Sequence, residues 1–175
     1  MPHPVLQKTC WLLLLSALCI ACLGMAPKKK KPETTVRFFT EANAQDTDRF
    51  AAPIILHNPP RQAYISYIPD VSERDVAAIY PFPAPDGTFG CAFKLDEHGK
   101  IALNTLSIER RGSSLVAFIN ARQVIDMTID RVISDGIIVI QFGITPQEIE
   151  LLKARFNILG QPPKKKKSWW DTDTK

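Results

Sequence analysis

Cysteine is nearly absent from the body of this 175-residue chain: Cys10, Cys19 and Cys22 fall in the first 26 residues, which leaves Cys91 alone. No disulfide can form within the body. Cys91 takes the inward slot of an alternating run with Phe89, Phe93 and Leu95, the place of a small buried hydrophobe and not of a reactive thiol. Histidine is as scarce. His57 and His98 are the only two in the body, both in predicted loops and without ligand-like spacing, so neither a zinc site nor a histidine-based catalytic pair is indicated. Glycine-rich phosphate loops are missing as well. Asp126 and Asp130 lie four apart beside a strand and read as solvated charge. Arg110, Arg111, Arg122 and Arg131 could form a small anion site, and read better as surface charge. No residue is assigned a catalytic, cofactor-binding or metal-ligating role, and the chain is expected to be non-enzymatic.

What the chain has in excess is positive charge, but only at its ends. The formal net charge is +4, from 22 basic and 18 acidic residues. Two four-lysine runs, 28–31 and 164–167, hold eight of the basic residues, and without them the balance turns to −4. Attraction to phosphate or anionic lipid therefore belongs to the two tails, and an acidic body disfavours a nucleic-acid partner.

The leader, residues 1–26, carries one charged side chain, Lys8, ahead of the apolar run WLLLLSALCIACLGMA. That run is shorter than the roughly 20 residues of a comfortable membrane span and fits the core of an export signal. Ala21 before Cys22 fits a lipoprotein signal, with Cys22 as the candidate lipidated residue, although Cys19 stands where leucine is usual. Cleavage after Gly24 or Ala26 competes with lipidation. The lysines that follow favour a cytoplasmic flank, so an uncleaved anchor is the alternative. Residues 27–33 read as a Lys/Pro linker.

The body is assigned to residues 34–160. Val36 and Phe38 alternate against Arg37 in a first strand, and residues 41–60 read as a loop with a short extended piece at 54–56. A second strand follows at 62–68. Ser72, with Asp75 three residues on, reads as a helix start, and Val76, Ile79 and Tyr80 follow at helical spacing. Asp86-Gly87 turns the chain into a strand at 89–95, and residues 100–110 fit an amphipathic helix ended by Gly112. Strands at 115–119 and 124–128 flank a hairpin turn at Asn120, Ala121 and Arg122. Asp135-Gly136 leads to a strand at 137–142. Thr145, Pro146 and Glu148 make a capping box for a last helix, whose Ile149, Leu152 and Phe156 line one face. The order β β α β α β β β α predicts an α+β domain, a largely antiparallel sheet with helices on one face.

On these residues the body resembles the head of the first periplasmic domain of SecD, a subunit of the bacterial protein-export machinery. Residues 115–122 occupy the family's L-A-I-V-L-D-G-K-like strand and turn, Asp135-Gly136 its glycine turn, and Phe142-Gly143-Ile144-Thr145 its I-x-G-x-F-T-like segment. Phe89 to Leu95 with Glu97, His98 and Gly99 resembles a strand and helix entry, and Ile68 to Ser72 the lead into a short helix. Ala121 stands where the family prefers glycine and Met127 where it usually has proline. The resemblance implies a stand-alone head domain, since nothing after Phe156 is apolar enough to span a bilayer. An envelope protein or an unfolded exported chain is the partner it implies.

Residues 161–175 read as a disordered tail. Lys164, Lys165, Lys166 and Lys167 beside Trp169 and Trp170 suit a membrane interface and are its candidate contacts. The reading taken is an exported, membrane-tethered accessory or binding module of the cell envelope. A secreted small enzyme or ligand-binding domain on the same fold is the alternative.

Overall fold

The computed structural model describes residues 34–42 and 50–162, which belong to one compact unit beginning at Thr34. The leader, with Cys22, and the tail contacts Lys164–167, Trp169 and Trp170 lie outside the described residues. Two helices and ten strands follow one another here. The strands are β1 (Val36–Thr40), β2 (Ala51–His57), β3 (Pro60–Ser66), β4 (Val71–Ser72), β5 (Val76–Pro83), β6 (Phe89–Leu95), β7 (Ser114–Ile119), β8 (Arg122–Thr128), β9 (Ile137–Ile144) and β10 (Asn157–Ile158). Helix α1 (Glu97–Glu109) lies between β6 and β7, and α2 (Pro146–Arg155) between β9 and β10.

The strands do not form the single sheet that the α+β expectation pictured. They form two four-stranded sheets, ordered β4-β1-β7-β8 and β10-β5-β6-β9, and a separate β2-β3 hairpin. Pairing is antiparallel throughout except for β10 on β5. Both sheets and both helices close on one core. Val36, Phe38, Leu115 and Ile119 come from the first sheet, Ile79, Phe93 and Ile140 from the second, and Leu103, Ile149 and Leu152 from the helices. Period-2 alternation puts Phe39 and Val116 on the far face of the first sheet. There they pack with Leu56, Ala63 and Ile65 of the hairpin into a second cluster.

Two local expectations change. Residues 51–57 form a full strand instead of a loop, because β3 pairs with all seven of them. Prolines 53 and 60 are tolerated there because this sheet has two strands, and the further bridge from Glu41 to Ile65 touches neither proline. The helix expected from Ser72 is a turn followed by a strand. Asp75 accepts from the Ser72 N–H at 2.8 Å and its hydroxyl at 2.9 Å, closing a tight turn with the residues that suggested a cap. Val76 and Ile79 are both buried because the register shifts between Val76 and Ala78. One extra residue in a strand puts positions three apart on the same face, which imitates helical spacing. Pro81 and Pro83 do not end this strand, since β10 reaches only as far as Ile79 and leaves their outer edge unpaired.

Other local readings hold. Cys91 is fully buried, and burial pushes its thiol up to about 12, so it stays unreactive. The capping box of α2 is complete, with the Glu148 N–H on Thr145 Oγ1 at 3.3 Å and the Thr145 N–H on Glu148 Oε2 at 2.9 Å. Ile149, Leu152 and Phe156 are buried. The β7–β8 turn places Asn120 at φ 50° and Ala121 at φ 65°, both left-handed as a two-residue type I′ hairpin requires. A left-handed alanine costs about 1–2 kcal/mol, and glycine gives back roughly 0.4–1 kcal/mol of that through a freer unfolded chain. Ala121→Gly is therefore expected to stabilise the fold by about 0.5 kcal/mol, read as a small rise in the urea midpoint; a fall would show that the turn is not strained.

Candidate functional site: a cleft between two open strand edges

β8 ends the first sheet and β9 ends the second, so each presents one edge without a neighbouring strand. The chain runs up β8, crosses through 129–136 and returns along β9, yet the two strands do not pair. They are tied at both ends. At one end Arg122 Nη2 donates to the Gly143 carbonyl at 2.9 Å, and Arg122 Nε to Glu148 Oε1 at 2.9 Å. At the other end the connecting segment is fastened down. The Ile129 N–H meets the Ser113 carbonyl at 2.9 Å, the Ile133 N–H meets Ser107 Oγ at 2.9 Å, and the Leu95 N–H meets the Gly136 carbonyl at 2.9 Å. Between the ties the strands part around a cleft of about 580 Å³.

The cleft is long and mixed in character. Ile125 and Met127 of β8 face Ile138 and Phe142 of β9, with Leu115 and Ile133 also lining it. Phe142 is 47% exposed, which leaves an apolar side chain open at the cleft. Asn58, at the tip of the β2-β3 hairpin, forms part of the rim beside Asp126.

Asp126 overturns its reading as solvated charge. Its side chain is 2% exposed, and its carboxylate accepts the His57 N–H at 3.0 and 3.1 Å and the Asn58 N–H at 2.9 Å. The His57 ring lies against it too, Nδ1 to Oδ1 at 3.0 Å. Gln123 adds a bond from Nε2 to the Ile55 carbonyl at 3.0 Å. β8 thus holds the hairpin tip in place through a buried anion. Burial alone would raise the Asp126 carboxyl, but the two N–H donors and the histidine outweigh it and hold the group below its ordinary value. Glu148 behaves in the same way, with burial opposed by Arg122 and Thr145. Arg122, expected on the surface, is the partner in that pair, and Arg111 Nε donates to the Asp130 carbonyl at 3.1 Å.

His98 sits in the first turn of α1 and not in a loop. It lies 2.9 Å from Asp75 through Nδ1, and with Asp96 these residues bring three ligand-type atoms within 4.8 Å of one another. The spacing missed the group because Asp75 and His98 are 23 residues apart. Its oxygens already have work in the fold: Asp96 Oδ1 caps α1 through the Gly99 N–H at 2.8 Å, and Asp75 Oδ2 holds the Ser72 turn.

Among the described residues, no helix is long and apolar enough to cross a membrane. No family model and no curated protein sequence matches the chain. It is similar in fold to two solved structures. One is of SecDF, described as a membrane component that enhances protein export, at 14% identity and a TM-score of 0.49, covering 75% of this chain and 66% of that one. The other is of SecDF in its super-membrane-facing form, at 13% identity and a TM-score of 0.43, covering 90% of this chain and 34% of that one. The chain therefore spans less than two thirds of either protein's length.

Proposed function

We propose that this chain is a non-enzymatic binding module of the cell envelope, linked to protein export, that takes an extended polypeptide segment as a guest strand between β8 and β9. The observation that carries the reading is the pair of open edges facing each other across one cleft. A strand laid there finds unpaired main-chain groups on both sides and apolar side chains to bury alternate residues, which is the physics of β-strand addition. Affinity from main-chain bonds is indifferent to sequence, as a carrier of unfolded chains needs. The motifs shared with the SecD head and the export signal read in residues 1–26 point to the same place and the same kind of partner. Tethering through Cys22, or through the lysines of the tail, belongs to this proposal. The alternative of a small enzyme requires a nucleophile and a base at the cleft. Asp126, the carboxylate with a buried side chain there, is committed to the hairpin instead.

The test is binding of a permanently unfolded, carboxymethylated polypeptide, followed by anisotropy. Phe142→Asp places a charge in the cleft on a side chain that is already half exposed, and is expected to weaken binding about tenfold, or ~1.4 kcal/mol, with unchanged folding. Equal affinity of the variant would remove the cleft from the function, and no binding by the unmodified chain would remove the reading itself.

A further inference from the structure

The outer face of the β10-β5-β6-β9 sheet is apolar and bare. Register places three rows on it: Phe82 beside Gly90, Tyr80 beside Ala92 and Val139, and Ala78 beside Lys94 and Ile137. In a sheet with one solvated face these outward positions are normally polar. Here Tyr80 is 53% exposed, Val139 44% and Ile137 37%, and Lys94 is the one charged side chain in the rows. The middle strand carries Ala92 between Tyr80 on β5 and Val139 on β9, which makes a trough, closed at one end where the Phe82 ring lies over Gly90. Gly90 is required: a Cβ there would lie 2.3 Å from the Phe82 ring and 2.5 Å from the Gln141 carbonyl. The matching face of the other sheet is covered by the β2-β3 hairpin, through Phe39 and Val116. On this one, no other described element covers Tyr80, Val139 or Ile137, which stay exposed.

The chain itself supplies a cover. It leaves the described residues at Pro162, just past β10, on the edge of this same sheet. Leu159, 46% exposed, is bonded through its N–H to the Ile79 carbonyl at 2.8 Å beside the trough. Seven residues from Pro162 to Trp169 reach up to roughly 23 Å, and β6 is two strand spacings, about 10 Å, from β10. Trp169 and Trp170 bring two large flat side chains, and Asp171 and Asp173 follow them. Lys94 has no hydrogen-bond or ion-pair partner among the described residues, so the face offers one unmatched cation where the segment offers an anion. We propose that Trp169, Trp170 and Asp171 fold back onto this face, the indoles over Ala92 and Val139 and the carboxylate on Lys94. The tail then shields the sheet, and its tryptophans are held by the body and not by a membrane.

Trp11 is the remaining tryptophan of three, so the full chain carrying Trp11→Phe reports on the tail alone. Its emission and acrylamide quenching are compared, in the same mild detergent, with those of a synthetic peptide of residues 163–175. The expected result is bluer emission and several-fold weaker quenching than the peptide. Tyr80→Asp and Lys94→Glu, both exposed positions checked by circular dichroism, should each return the signal toward the peptide's; if Tyr80→Asp unfolds, Lys94→Glu decides alone. Quenching equal to the peptide's overturns the proposal. So does protection that neither variant moves, which would place the indoles in the micelle, or protection lost on dilution, which would place them on a second copy.

Discussion

Replacing Phe93 by alanine is expected to destabilise the fold by about 4 kcal/mol, within the range of roughly 3–5 kcal/mol for removing a buried aromatic side chain. Phe93 has no exposed surface and meets Phe38 edge to face, with ring centroids 5.6 Å apart. Phe38 belongs to β1 of the first sheet and Phe93 to β6 of the second, so this contact joins the two sheets through the middle of the core. Domains of this size hold on the order of 5–15 kcal/mol in total, and the variant should approach the limit of folding. The urea midpoint measures it. Phe38→Ala should cost a similar amount, and the double variant less than the sum, because the pair shares one cavity. A loss below about 1 kcal/mol for Phe93→Ala would mean that the sheets are held together elsewhere.

Elements whose determinants are close in sequence were legible before the structure. Thr145, Pro146 and Glu148 act within one helical turn, and Asn120-Ala121 within one hairpin, so their signals survive without knowledge of anything distant. The segment after Ser72 misled because a bulge and a helix both put Val76 and Ile79 on one side; spacing alone does not separate them. Strand β2 was hidden by Pro53 and by the prolines just past its end, which are excluded from central strands but acceptable at an unpaired edge, and edges are a property of topology. The largest error, Asp126, has the same origin. Its partners His57 and Asn58 are 69 and 68 residues away, and a carboxylate near a strand looks solvated until the hairpin that covers it is in place. The cleft was not legible at all. It consists of a pairing that β8 and β9 do not make, and each strand carries a normal apolar pattern.

Asp126→Asn is expected to loosen the hairpin tip at neutral pH and to leave the protein nearly unchanged in acid. In the native state the carboxylate accepts two main-chain N–H groups and faces a histidine, and its pKa lies below the ordinary value. A lowered native pKa means that the unfolded chain binds the proton more tightly than the folded one. The stabilisation is therefore complete above the unfolded value of about 3.9 and disappears as pH falls through the lower native value. Hydrogen bonds to a charged acceptor contribute about 1.5–3 kcal/mol, so near pH 7 the variant should lose about 2 kcal/mol. Near pH 2 the two proteins should differ little. Glu148 and Asp75 also have lowered values and give the unmodified chain an acid slope of the same sign; they are present in both proteins, so the difference isolates Asp126. Urea midpoints at the two pH values measure the global part, and hydrogen exchange of the His57 and Asn58 amides the local part, where protection should fall first. Since Asn58 forms part of the cleft rim, a freed tip should also change capture of an unfolded chain at neutral pH. A stability difference that stays constant with pH would show that the carboxylate's charge does not hold the tip.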